Sequence, residues 1–168
     1  VVNVPPGMSK TVMTSILLTS WDWGPNECPW RKYINTSYSE DLVVRDAGRC
    51  RDLILTDWWQ ARWGQPVGGP TIVDGHKAAK GYFTNDKDGS RFSTTMNGQV
   101  TGFHGHVLIC DDPLKPKEIQ SGGDEARAKL EKCNELWDQT FSSRSADPAH
   151  FKRLVIMQRL HFGDLAGL

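Results

Sequence analysis

The sequence predicts an α/β fold in three layers, a mainly parallel central sheet covered on both faces by helices, with a β-hairpin inserted in it. Three observations predict this. The segments Val107 to Cys110 and Leu154 to Met157 are apolar without interruption, as strands buried on both faces are. Other segments repeat their apolar residues at helical spacing. Strand-like and helix-like segments alternate along the chain, the order that parallel βαβ units require.

The elements follow in order. Val1 to Val4 is a β-prone stub closed by Pro5-Pro6-Gly7, and Lys10 to Trp21 contains neither glycine nor proline, so the chain opens as strand, loop and helix. Lys32 to Thr36 is a second strand. Ser37-Tyr38-Ser39-Glu40 has the spacing of a capping box, and one long helix follows in which Leu42, Val43, Cys50, Leu53, Ile54 and Trp58 recur, with Gly64 as its stop. From Gly64 to Gly81 the composition turns to glycine, proline and polar residues. Gly81 to Asn85 and Arg91 to Met96 read as a hairpin turning at Asp86-Lys87-Asp88-Gly89. His106 to Cys110 is a strand that ends at Asp111-Asp112-Pro113, where proline stops pairing. Beyond a polar loop, Leu130, Cys133, Leu136, Trp137 and Phe141 mark a second amphipathic helix, and Leu154 to Met157 is the last buried strand.

Length and composition set the frame. At 168 residues, 38% hydrophobic and 24% charged, the chain has the size of one domain, taken as 1–168. Twenty basic residues balance twenty acidic ones, so no global positive field recruits nucleic acid and any such contact is a local patch. Cys28, Cys50, Cys110 and Cys133 form no CxxC pair and read as reduced thiols. No run approaches the roughly 18 to 20 apolar residues of a membrane span, and the start lacks the features of a signal peptide. The expectation is a soluble protein inside a cell, with no membrane partner. The abrupt start and end read as a piece of a longer chain.

Two constellations carry chemistry. Pro5-Pro6-Gly7-Met8-Ser9-Lys10-Thr11 lies between a strand and a helix, where backbone N–H groups meet a phosphate, a lysine reaches the β/γ-phosphates and a threonine hydroxyl holds Mg²⁺. The GxxxxGK[ST] pattern is incomplete, because Val4 and Ser9 stand at its glycine positions, and a plain turn before a helix reads the same way. The second constellation is the acid pair Asp111 and Asp112 at the end of an apolar strand. That edge of an α/β sheet binds ligands, and two carboxylates there suit one metal ligand and one water-activating base; a turn closing the strand is the bland alternative. Taken jointly, a phosphate loop followed about a hundred residues later by an acid-tipped strand is the order of the P-loop ATPase class that inserts a strand between its two nucleotide-binding strands.

Val4 to Thr11, Tyr38-Ser39-Glu40-Asp41-Leu42, Thr101-Gly102-Phe103-His104-Gly105, Ile109-Cys110-Asp111-Asp112-Pro113 and Val155 to His161 with Asp164-Leu165 resemble, in that order, segments of bacteriophage large terminase subunits, the ATPases of DNA-packaging motors. The resemblance spans nearly the whole chain, and its most specific part is the strand running into Met157-Gln158-Arg159-Leu160-His161. It implies a three-layer P-loop domain that binds ATP with Mg²⁺ through Pro6, Gly7, Met8, Ser9, Lys10 and Thr11. Thr11 and Asp111 would hold the metal, Asp112 would be the catalytic carboxylate and Gln158 would sense the γ-phosphate. Related motors carry glutamate where Asp112 stands, and many carry an arginine inside the loop, where this chain has Gly7 and Met8. An arginine finger then comes from elsewhere, and Arg91 and Arg159 are the candidates, in cis or from a neighbouring subunit; each is equally a residue of ordinary structure. The implied partners are double-stranded DNA, the portal protein, the small terminase subunit and further copies in a ring, in the host cytoplasm. The family's upstream adenine-contacting segment and downstream nuclease would lie outside this piece. The rival readings are a helicase-like translocase with the same core, and a nucleotide-binding scaffold whose loop has decayed at Ser9.

Other features carry less. His104-Gly105-His106 and the cysteines fit no closed zinc set. The helical spacing of Trp58, Trp59 and Trp63 points to core or interface burial more than to base stacking. Arg45, Arg49 and Arg51 share a helix with Asp46 and Asp52 and read as a solvated, salt-bridged face.

Overall fold

The computed structural model describes residues 1–3, 5, 7–73 and 81–167. Seven strands form one sheet: β1 (Val2–Asn3), β2 (Lys32–Ser37), β3 (Ile72–Val73), β4 (Tyr82–Asn85), β5 (Ser90–Thr95), β6 (Val107–Asp111) and β7 (Lys152–Met157). Their order is β1-β7-β6-β2-β5-β4-β3. From β1 to β5 every pairing is parallel, and β4 and β3 add antiparallel at one edge. The fold is therefore α/β with a mixed, mainly parallel sheet, and the predicted hairpin is β4 and β5.

All five residues of β6 are buried, as its unbroken apolar run requires of a strand with two parallel neighbours. Residues of alternate parity feed opposite faces. On one face Ile34, Leu108, Cys110, Val155 and Met157 pack against Leu130 and Cys133 of α5 (Gly123–Glu135) and against Trp137 and Phe141 of the wide π-turn that continues it, Leu136–Phe141. On the other face Tyr33, Val107, Ile109 and Ile156 meet Leu18 of α1 (Leu18–Trp23), which continues a π-segment, Val12–Leu17. The helices of that side join through Ile16, Trp23, Ala47, Cys50, Ile54 and Trp59, against Ile72 and Phe83 of the sheet edge. Helices thus cover both faces.

Several expectations are corrected. The helix expected across Leu42 to Trp58 is two, α2 (Glu40–Leu55) and α3 (Asp57–Trp63). Thr56 breaks it: its backbone is extended, its hydroxyl donates to Leu53 O at 2.7 Å, and the same oxygen accepts from Trp59 N at 3.3 Å, capping α3. A threonine that satisfies both helix ends competes with continued winding. The capping box does not form, because Ser37 is the last residue of β2 and Ser39, at the cap position, makes no side-chain cap bond. The loop after Pro113 contains a short helix, α4 (Pro116–Gln120). Trp23, Trp59 and Trp137 are buried, whereas Trp21, Trp30 and Trp58 are exposed. Among the described residues no helix is long and apolar enough to cross a membrane.

Candidate functional site

The carboxyl ends of β1, β7, β6 and β2 meet at one edge of the sheet, and the chemistry-bearing residues collect there. The chain leaves β1, turns through Gly7 and Ser9, and begins to wind at Lys10, with Met13 N donating to Ser9 O at 3.0 Å. Gly7 has φ +83° with nothing near a would-be Cβ, and Ser9 has φ 55°. Ser9 therefore adopts the left-handed backbone that glycine takes without cost, at a strain of roughly 1–2 kcal/mol for a residue with a Cβ. The residue type departs from the glycine pattern while the backbone keeps it. Pro6, and Val4 before it, lie outside the described residues.

Asp112 is the second joint. It too is left-handed, φ 44°. Its N–H donates to Ile156 O at 2.8 Å, and its carbonyl accepts from Tyr38 N at 3.1 Å and Ser37 Oγ at 3.4 Å, so its backbone is fastened to β7 on one side and to the end of β2 on the other. From that position Asp112 Oδ1 accepts from Lys10 Nζ at 2.6 Å and from Gln158 N at 3.2 Å. Its side chain is 37% exposed, open to water.

Asp111, one residue earlier, points to the opposite environment. It is buried, its Oδ2 accepts from Ser15 Oγ at 3.1 Å, and Thr11 stands beside the same carboxylate on the wall of a shared cavity. Burial raises its pKa above the ordinary 3.8, the neighbouring Asp112 charge adds to that, and Thr11, Ser15 and Lys10 oppose it. Its Oδ1 is buried with no partner among the described residues. A buried carboxylate oxygen beside a threonine hydroxyl is a donor pair suited to a hydrated divalent cation, which needs only one or two protein oxygens and keeps its remaining waters. No three His, Cys, Asp or Glu side chains among the described residues converge as a metal cage, and such a cation requires none.

In front of these residues opens a cleft of about 510 Å³ lined by Gly7, Ser9, Lys10, Thr11, Tyr38, Asp112 and Gln158 among others. That volume lies within the range of small-ligand sites. Of the loop residues expected to line it, Met8 does not and is exposed.

The expectation that Arg91 serves a neighbouring subunit needs correction. It sits on β5 with none of its surface exposed, its guanidinium donating to Thr19 Oγ1 at 3.2 Å and Ser93 Oγ at 3.4 Å. A side chain enclosed between the sheet and the first helix does not reach a neighbouring subunit. Arg159 is exposed and stacks over the Phe162 ring. The face of α2 expected to be solvated is not so throughout, because Asp46, which takes Arg45 at 2.9 Å, is itself buried.

Sequence reasoning missed Ser15 and Tyr38. Ser15 was within reach: it follows Thr11 by four residues, the spacing that places two side chains on one helix face, and both line the cavity at Asp111. Tyr38 enters only through the path of the chain after β2.

Sheet, loop and acid pair define an α/β domain with its ligand cleft at the carboxyl edge of the parallel strands. No family model matches the chain, and no curated protein matches it significantly.

Proposed function

We propose that this chain is a Mg²⁺-dependent P-loop ATPase, the motor part of a large-terminase-like machine that drives double-stranded viral DNA into a procapsid. The observation that carries the reading is the contact of Lys10 Nζ with Asp112 Oδ1 at 2.6 Å, joining residues 102 apart in sequence, with Thr11 and Asp111 lining one cavity beside it. The strand order supports it, because β7 lies between β1 and β6, the insertion that distinguishes this ATPase class.

The residues suggest a sequence of events. Lys10 exchanges its bond to Asp112 for the β/γ-phosphate oxygens of ATP, and the N–H groups of the first helical turn, which lack intrahelical acceptors, face the same anion. Thr11 and Asp111 would hold Mg²⁺, which would supply charge neutralisation on the phosphates. Released from Lys10, Asp112 accepts a hydrogen bond from a water and orients it in line with the γ-phosphorus. The P–O bond to ADP breaks as the water oxygen bonds to phosphorus, ADP leaves with the electron pair, and the water proton passes by way of Asp112 to the products. Gln158 stays attached to Asp112 through its backbone N–H and so registers whether that carboxylate faces Lys10 or water.

The wider setting rests on the terminase resemblance, and the loop after β7 is consistent with it. Asp164, fully buried, accepts from the backbone N–H of Leu160 at 2.7 Å, His161 at 3.0 Å and Ala166 at 3.1 Å, so the segment that begins at Gln158 is one stiff unit able to transmit a displacement. Its tip carries the exposed Arg159, to which the finger role falls in place of Arg91. A ring of copies on a portal, with a small subunit and DNA as partners, completes the proposal. The test is phosphate release by the intact protein with and without double-stranded DNA. Lys10→Ala should reduce turnover at least a hundredfold while the fold persists; turnover retained in that variant removes the assignment.

A further inference from the structure

Next to Asp111, sharing Thr11 and Asp112 with the open cleft, lies a small polar cavity of about 40 Å³. Thr11, Ser15, Asn35, Asp46, Arg91 and Asp111 are among its walls. By the volume a single water needs, about 10–15 Å³, it has room for two or three. Asn35 stands on β2, in register with Ile109 of β6 and Ser93 of β5, on the sheet face that also bears Asp111. It is 3% exposed, and both its amide oxygen and its amide nitrogen are buried with no partner among the described residues. The free Oδ1 of Asp111 is in the same condition.

A buried amide with neither atom satisfied destabilises the fold relative to an apolar side chain of similar size. The neighbours of Asn35 on this face include Tyr33 and Ile109, members of an apolar cluster, so packing alone does not call for an amide at this position. The polar group serves something other than packing, and among the described residues the only other unsatisfied side-chain group on that wall is the candidate metal carboxylate.

We propose that Asn35 is a positioning residue for a divalent cation held at Thr11 and Asp111, acting through the solvent of this cavity on the free Asp111 oxygen and the water shell of the cation. The proposal rests on the Mg²⁺-nucleotide reading of the site. Outer partners of this kind orient a metal ligand without touching the metal, and their removal typically weakens metal binding about 10- to 100-fold.

The experiment is a calorimetric titration of the intact protein with a non-hydrolysable ATP analogue, in Mg²⁺ and in EDTA, for wild type, Asn35→Leu and Asn35→Asp, with the ligand-free melting temperature of each. Asn35→Leu should melt no lower than wild type, bind the analogue in EDTA as wild type does, and lose about tenfold of the affinity that Mg²⁺ adds. Asn35→Asp keeps an acceptor oxygen and should retain the Mg²⁺ gain. The proposal is overturned if Asn35→Leu keeps the whole Mg²⁺ gain, or melts lower and loses affinity equally in both conditions, as a purely structural amide does. It also fails if the Asp variant loses the gain. A wild-type protein indifferent to Mg²⁺ overturns the site reading and this proposal with it, which separates the two failures.

Discussion

The two faces of the sheet are built from different materials. Against α5 the sheet offers Ile34, Leu108, Cys110, Val155 and Met157, and the helix answers with Leu130, Cys133, Trp137 and Phe141, so that side is a continuous apolar layer. Against α1 and α2 it offers Asn35, Arg91, Ser93 and Asp111, faced by Ser15, Thr19 and Asp46, all buried. The first face obtains stability from area removed from water. The second keeps desolvated polar groups, some without partners, and is stable only because the apolar face and the clusters around Trp23 and Trp59 offset it. Everything proposed about function lies on the second face or at its rim. The contrast teaches that in this domain one side of the sheet supports and the other acts.

Substitutions that exchange the characters of the two faces test the contrast. The largest effect is expected on the apolar side, where Phe141→Ala removes a fully buried ring and should cost about 3–5 kcal/mol in urea unfolding, with nucleotide affinity of the folded protein unchanged. Asp111→Asn on the polar side should act with the opposite sign. Because burial raises the Asp111 pKa, the folded protein binds that proton more tightly than the unfolded chain does. Its contribution to stability is therefore complete below the ordinary value of 3.8 and is lost as pH rises through the raised folded value. The asparagine variant should flatten that part of the stability profile and melt higher than wild type at neutral pH without metal, while Mg²⁺ no longer tightens nucleotide binding; a variant that melts lower at pH 7 contradicts the account. At the rim, Ser9→Gly relieves the left-handed serine and should stabilise the protein by about 1 kcal/mol in the same assay. Thr56→Ala, at the break between the helices that roof the polar face, should cost about 1 kcal/mol or slightly less, through the lost cap of α3.

The apolar face was legible because its signal is periodic. The runs Val107 to Cys110 and Leu154 to Met157 predicted β6 and β7 close to their observed bounds, and the recurrence from Leu130 to Phe141 predicted the helix that covers them but not its first turns, which begin at Gly123. The polar face was legible only in part. Lys10, Thr11, Asp111 and Asp112 stood out through their places in a loop and at a strand end. Asn35 did not, because one polar residue inside a β-prone segment looks like any solvated strand position. Arg91 was misread for the same reason, since burial of a charged residue leaves no mark on the neighbouring letters. Thr56 failed as a signal because a threonine within a helical pattern is ordinary, and only its two hydrogen bonds show that the helix ends there.

By itself the sequence determined the alternation of strands and helices, the apolar content of the central strands, and the residue types placed at the loop and the acid pair, since periodicity and local turn chemistry act over a few residues. The tertiary structure alone decided that β7 enters between β1 and β6, that Lys10 meets Asp112 across 102 positions of chain, and that Asn35 and Arg91 are buried on the cavity beside Asp111. Those facts depend on which strands become neighbours, a choice made by the packing of whole layers.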